Sequence, residues 1–260
     1  MADDDRQSPE YPILEFDPAS EAALEPSKLI RPADIPEHAV LCFFQDVITQ
    51  LSQHETARVV KRLRSEIGTH PVYEIGVQGR RLAVIHPGVG GPLAGAMLEE
   101  VIALGCRQII ACGGAGVLDS SIVLGHVLIP TSAVRDEGTS YHYLPPGREV
   151  AADPAAVAAI QATLQAHGVE YLLTKTWTTD AIYRETREKV RRRRAEGCLA
   201  VEMEAAAFFA IARFRNVQLA QMLYGGDDVA AEQWDGRDWQ SHASGREKLF
   251  WLAAEACLRL

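Results

Sequence analysis

The chain has 260 residues, 47% hydrophobic and 23% charged, a balance that argues against a disordered or fibrous protein and allows one large core. A formal net charge of −9 repels phosphate backbones and anionic lipid surfaces alike, so neither nucleic acid nor a membrane is an expected partner. Five cysteines without Cys-x-x-Cys spacing argue against a disulfide framework or a zinc site, and the acidic N-terminus has no signal-peptide pattern, so a cytoplasmic chain with reduced thiols is expected.

Residues 1–38 are rich in Asp, Glu and Pro and predict an extended arm suited to packing on a neighbouring subunit, with one domain over 39–260. Short apolar runs then alternate with helical patterns: a strand at 40–44, a helix to about 67, and a hairpin of 72–77 with 82–85 around Gln78-Gly79. Pro92, the spacing of Leu93, Met97, Val101 and Leu104, and Gly105 predict a helix over 92–104. A strand at 108–112, a turn at Gly113-Gly114-Ala115-Gly116 and a strand at 127–130 follow. Next come a helix at 155–167, a strand at 171–177 and a polar helix at 184–194, whose arginine run 191–194 reads as a solvated face. Residues 203–214 are apolar all round, the mark of a buried helix, and a strand at 217–224 and a helix at 248–260 close the chain. Such alternation predicts an α/β fold with a largely covered sheet.

The glycine stretches at 88–91 and 113–116 do not fit a dinucleotide fingerprint, because neither gives G-x-G-x-x-G opening a helix. They read equally as tight turns or as close approach to a ligand beyond strand ends, which makes Gly90, Gly113 and Gly114 candidates for a pocket. In Val201-Glu202-Met203-Glu204-Ala205-Ala206, two acids at the mouth of an apolar helix suggest a sugar site, although a first-turn dipole partner would explain one of them. Gly225-Gly226-Asp227-Asp228 offers an acid at a strand end, or simply a turn.

Together these segments, with Arg135-Asp136-Glu137-Gly138-Thr139-Ser140 and Thr178-Thr179-Asp180-Ala181, resemble the nucleoside phosphorylase and nucleosidase superfamily from about residue 40 onward. The resemblance implies a single three-layer domain with a mixed central sheet flanked by helices, and cleavage of a nucleoside's N-glycosidic bond. It implies Glu204 on the ribose hydroxyls, Met203 under the sugar and Glu202 near the base. Asp227, 23 residues beyond Glu204, matches the acid that meets N7 of a leaving purine, with Asp228 beside it and Ile182 and Tyr183 lining the base. No cofactor or metal is implied beyond inorganic phosphate as a co-substrate, and a homodimer or hexamer is expected, with the arm, His142 or Tyr143 reaching a neighbour's site.

The departures bear on the nucleophile. Where the phosphorylases carry two phosphate arginines and a hydroxyl, this chain has Phe43-Phe44-Gln45-Asp46, Ala111, Gly114 and Ala115. Asp46 falls near the nucleosidases' water-activating glutamate, which favours hydrolysis, and it reads equally as a helix N-cap. Thr186 and Glu188 replace a uracil clamp, so a purine is expected. Arg135, Arg184 and Arg187 are candidates for a nucleotide's 5′-phosphate, or exposed arginines without a ligand. Backbone amides of the glycine stretches, an arginine from another subunit, or Arg237 remain the means by which phosphate would be held.

Overall fold

A computed structural model describes residues 9–241 and 243–260, so the first eight residues of the expected arm lie outside it. Its elements in chain order are α1 (Pro26–Leu29), β1 (His38–Cys42), α2 (Gln45–Ser52), β2 (Arg58–Ser65), β3 (Gly68–Val77), β4 (Arg80–Ile85) and α3 (Gly91–Leu104). They continue as β5 (Gln108–Val117), β6 (Val127–Asp136), β7 (Glu149–Ala151), α4 (Pro154–Ala166), β8 (Tyr171–Thr179) and α5 (Arg187–Ala195). The last are β9 (Cys198–Glu202), α6 (Ala205–Arg215), β10 (Gln218–Asp228) and α7 (Ala243–Cys257).

The sheet is mixed and partly closed on itself. β5 runs parallel to β1 and β10 and antiparallel to β9, β10 is antiparallel to β6, and β6 and β9 both run parallel to β8. Five strands therefore form a closed circuit, which leaves few unpaired edges at the centre. β1 pairs in parallel with β4, from which the sheet extends through β3 and β2 as an antiparallel meander. α3 packs on α6, with α1 beside it, while α4 and α2 pack on α7, and β10 touches α4, α6 and α7. The expected α/β architecture, a mixed sheet flanked by helices, is the one observed.

Three differences from the sequence reading position the site. The helix expected to reach residue 67 stops at Ser52, and β2 follows: Val59, Val60 and Leu63 fit either period, and pairing with β3 decides for the strand. The expected turn at 113–116 is instead the continuation of β5, with Gly113 and Gly114 paired to Leu223 and Tyr224, and Gly116 paired to Val201. Likewise β10 runs on to Asp228, and the short strands β7 and β9 are additions. A Cβ on Gly116 would lie 2.7 Å from Val229 Cγ2 and 3.0 Å from Val201 Cγ1, so a larger residue there would force the buried Val229 to shift.

The described part of the arm lies against its own chain. Buried Glu25 pairs with Arg215 at 3.0 Å, and Arg215 holds Glu99 at 2.8 Å. Tyr143, expected to serve a neighbour, packs edge-on to Phe214 with centroids 5.6 Å apart. Arg193 is likewise not on a solvated face: it is buried over Trp177 and bonds Asp136 at 2.9 Å. All five cysteines are free and buried. Among the described residues no helix is long and apolar enough to cross a membrane.

Candidate active site

The chain folds back at Met203, between β9 and α6, because the apolar run from Ala205 to Ala212 needs burial on every side. That leaves the first amides of α6 to be satisfied inside the protein. The Glu202 carboxylate accepts N–H bonds from Glu204 at 2.7 Å and Ala205 at 2.6 Å, and the Thr178 hydroxyl donates to its other oxygen at 2.6 Å. The Thr178 hydroxyl oxygen in turn accepts from Ala206 N–H. Glu202 is therefore a cap for α6.

Glu204 occupies the N-cap position of α6 and accepts the Gly90 N–H at 2.6 Å. Gly90 has φ 88°, a conformation glycine adopts without strain, and this turns its amide toward Glu204 at the start of α3. The amide expected to cradle an anion is thus engaged by a carboxylate. Burial, then the nearby Glu202 charge, pushes the Glu204 carboxyl above its ordinary range. Burial also raises Glu202 and Glu137, the latter buried against Ser140. Met203 stays partly exposed between the two glutamates.

At the end of β10 the two aspartates separate in the same way. Asp228 is buried, accepts the N–H groups of Ala230 at 2.9 Å and Ala231 at 3.0 Å, and pairs with Arg237 at 2.8 Å. Arg237 also donates to the Ile122 carbonyl at 2.6 Å, so it anchors this loop and is not presented to a phosphate. Asp227 is partly exposed and takes one bond, from the Trp234 indole N–H at 2.7 Å. Its other oxygen lies on the bare side of Gly116. Ile182 and Tyr183 stand exposed on the Ile182–Arg184 turn.

Of the three arginines offered for a 5′-phosphate, Arg184 is exposed on its turn, and Arg135 and Arg187 are engaged elsewhere. Each nitrogen of the Arg135 guanidinium has a partner, in the Ser140 hydroxyl and the Pro145 and Leu144 carbonyls. Arg187 donates to the carbonyls of Val229, Ala231 and Glu232. Thr186 caps α5, and Glu188 pairs with Arg191.

Asp46 lies in the first turn of α2 and pairs with Arg246 of α7 at 3.2 Å, while its buried Oδ1 has no hydrogen-bond partner among the described residues. Arg246 sits over the rings of Phe44 and Trp239, 5.8 and 5.2 Å from their centroids, and bonds the Tyr224 side chain. Gly113 and Gly114 face aromatic rings: a Cβ on them would lie 3.1 Å from Phe43 and 3.2 Å from Tyr224. Sequence reasoning missed Arg246, a single charge without a motif. Phe43 and Tyr224 were visible only as apolar strand residues. Among the described residues no cluster of three His, Cys, Asp or Glu is placed to hold a metal ion.

The chain as a whole is similar to known proteins in sequence and in fold. The sequence is 24% identical to guanosine phosphorylase of Halorubrum lacusprofundi over 217 residues, 83% of this chain and 88% of that one. The fold is similar to uridine phosphorylase from Vibrio fischeri, with TM-score 0.75 and 21% identity over 89% of this chain and 95% of that one. It is also similar to AMP nucleosidase from Bacteroides thetaiotaomicron, with TM-score 0.71 and 21% identity over 87% and 89%. With the family model matching residues 37–255, the chain belongs to the phosphorylase superfamily.

Proposed function

We propose that this protein cleaves the N-glycosidic bond of a purine nucleoside and transfers the ribosyl group to water. Glu204 has the placement for a diol: a buried carboxylate fixed by one amide at a helix mouth, with Met203 beside it. Asp227, partly exposed and held by one indole bond, is the residue assigned to give the leaving base a proton or hydrogen bond, an effect typically worth about 10²- to 10⁴-fold. A purine is favoured because Thr186 and Glu188 are bound up in α5 and leave no clamp for a uracil edge. Exposed Val89, Ile182, Tyr183 and Trp234 give the chain an apolar surface near these segments, which supports a homo-oligomer that covers the site.

The observation that carries water as nucleophile is the aromatic cover on β5. A phosphate dianion needs several donors or a free cation, whereas Phe43 and Tyr224 lie against Gly113 and Gly114, and the nearby cation Arg246 already holds Asp46. Asp46 keeps one oxygen for a water proton. Phosphorolysis is the second reading, favoured by the guanosine phosphorylase relative and by Arg246, which would serve phosphate if Asp46 released it. Product analysis in phosphate-free buffer decides between them. Free ribose, formed at a rate that drops in Asp46→Asn, is expected. Turnover that vanishes without phosphate and saturates as it is added establishes ribose 1-phosphate formation instead.

A further inference from the structure

The loop after β10 closes on itself and carries an aromatic ring. The Asp228 N–H donates to the Asp235 carbonyl at 2.8 Å, and the Asp235 N–H returns to the Asp228 carbonyl at 3.2 Å. The Asp228 carboxylate accepts the Ala230 and Ala231 N–H groups and pairs with Arg237, while Arg187 of α5 donates to the carbonyls of Val229, Ala231 and Glu232. Trp234 stands on this tied loop, one residue before the bridged Asp235. Its indole N–H donates to Asp227 Oδ2 at 2.7 Å, and its benzo end lies against Gly236, where a Cβ would come within 2.9 Å of Trp234 Cη2. The ring is thus held at both ends and is still 65% exposed. A scattered exposed apolar side chain is ordinary, but one held in a fixed orientation against the acid assigned to the base is set up for a flat partner.

We propose that Trp234 is the aromatic wall of the base site, the side chain against which the leaving purine lies. The proposal rests on the reading of Asp227 as the residue that meets that purine. The indole occupies Oδ2, so the oxygen left for N7 is Oδ1, on the bare side of Gly116. Two rings bonded to the two oxygens of one carboxyl are neighbours, and a base bonded at Oδ1 comes within van der Waals reach of the indole. The contact is made by the bound nucleoside and kept by the free base, so it holds ground state and transition state alike. Its loss therefore raises KM and spares kcat. Because Asp227 and Gly236 already hold the ring in place, little side-chain freedom is lost when the base arrives. Trp234 binds the base and moves no proton.

The test pairs kinetics with fluorescence on two variants of this exposed position. Trp234→Leu removes the ring, and Trp234→Phe keeps a ring but removes the N–H. With inosine, Trp234→Leu is expected to raise KM by about tenfold with kcat within about threefold, and Trp234→Phe to hold both within about threefold. Titrating hypoxanthine into the wild type should quench tryptophan emission saturably, and the quench should be absent in Trp234→Phe although hypoxanthine still inhibits that variant. Of the four tryptophans, Trp177 is buried, Trp239 lies under Arg246 and Trp251 packs edge-on against Phe250, which leaves Trp234 to report the base. Equal falls in kcat in both variants at unchanged KM would show that Trp234 acts only through its bond to Asp227 and overturn the proposal, as would a quench that survives in Trp234→Phe. If Asp227→Asn abolishes turnover of inosine while Trp234→Leu leaves KM unchanged, Trp234 alone is removed and the reading of Asp227 stands. A wild type that neither turns over inosine nor responds to hypoxanthine overturns that reading and this inference together.

Discussion

The β9–α6 corner and the end of β10 each present two acids within three residues, and in each the fold commits one to the backbone and leaves the other less engaged. Glu202 takes two amides and a hydroxyl, while Glu204 takes the Gly90 amide. Asp228 takes two amides and Arg237, while Asp227 takes one indole. The surroundings differ. The corner is enclosed, with Glu202 and Glu204 both 6% exposed, whereas Asp227 is partly open and Trp234 beside it is exposed. A sealed carboxylate held by a helix end suits a group that recurs in every substrate, such as a ribose diol. An open strand end beside a loop suits the part that varies, the base.

The largest effects should break this comparison first. Glu204→Gln and Asp227→Asn keep side-chain shape and are each expected to lower kcat/KM by about 10²- to 10⁴-fold, measured by steady-state kinetics on protein whose thermal melt is unchanged. Activity within tenfold of wild type would take that acid out of the reaction. The partner acids should show the opposite pattern. Asp228→Asn leaves Arg237 with a neutral partner and should cost about 3 kcal/mol, the low end for a buried pair because Arg237 is not fully enclosed. Glu202→Gln replaces one acceptor oxygen by a donor facing other donors and should cost about 1–3 kcal/mol. Calorimetric melts lower by several degrees, with kcat of the folded protein within a few-fold of wild type, are the expected outcome for both.

A smaller effect sharpens the contrast between enclosed and open acids. Burial raises the Glu204 carboxyl, so the folded protein retains a proton that the unfolded chain has released. The stability this contributes is fully present below the ordinary carboxyl value and is lost as pH rises through the raised one. The wild-type Tm should therefore fall more between pH 6 and 9 than that of Glu204→Gln, and parallel curves would show that Glu204 does not titrate in this window. The smallest effect concerns Arg135, whose nitrogens are all engaged by the loop 140–145. Arg135→Ala is expected to lower the Tm yet leave the ratio of activities on a nucleoside and its 5′-monophosphate within about twofold. A selective loss on the monophosphate would return Arg135 to the site.

Periodicity and punctuation alone located most of the frame: the helix after Gly90-Gly91-Pro92, the buried helix after Glu204, the strand before Asp227, and the alternation that makes the chain α/β. Those features are local, set by the few residues on either side, and the two acid pairs were visible for the same reason. Which acid of each pair stays available was not, because it depends on how the chain turns after each pair and brings amides back onto Glu202 and Asp228, and on the Gly90 amide that meets Glu204 from 114 residues earlier. The glycines at 113–116 look like a turn until β9 and β10 pair with them, since glycine alone favours neither state and the hydrogen-bonding partners decide. Arg246 on Asp46 carries no local pattern at all. A lone charge acquires its role only from what the tertiary structure places opposite it, because a Coulomb interaction depends on distance in space and takes no account of distance along the chain.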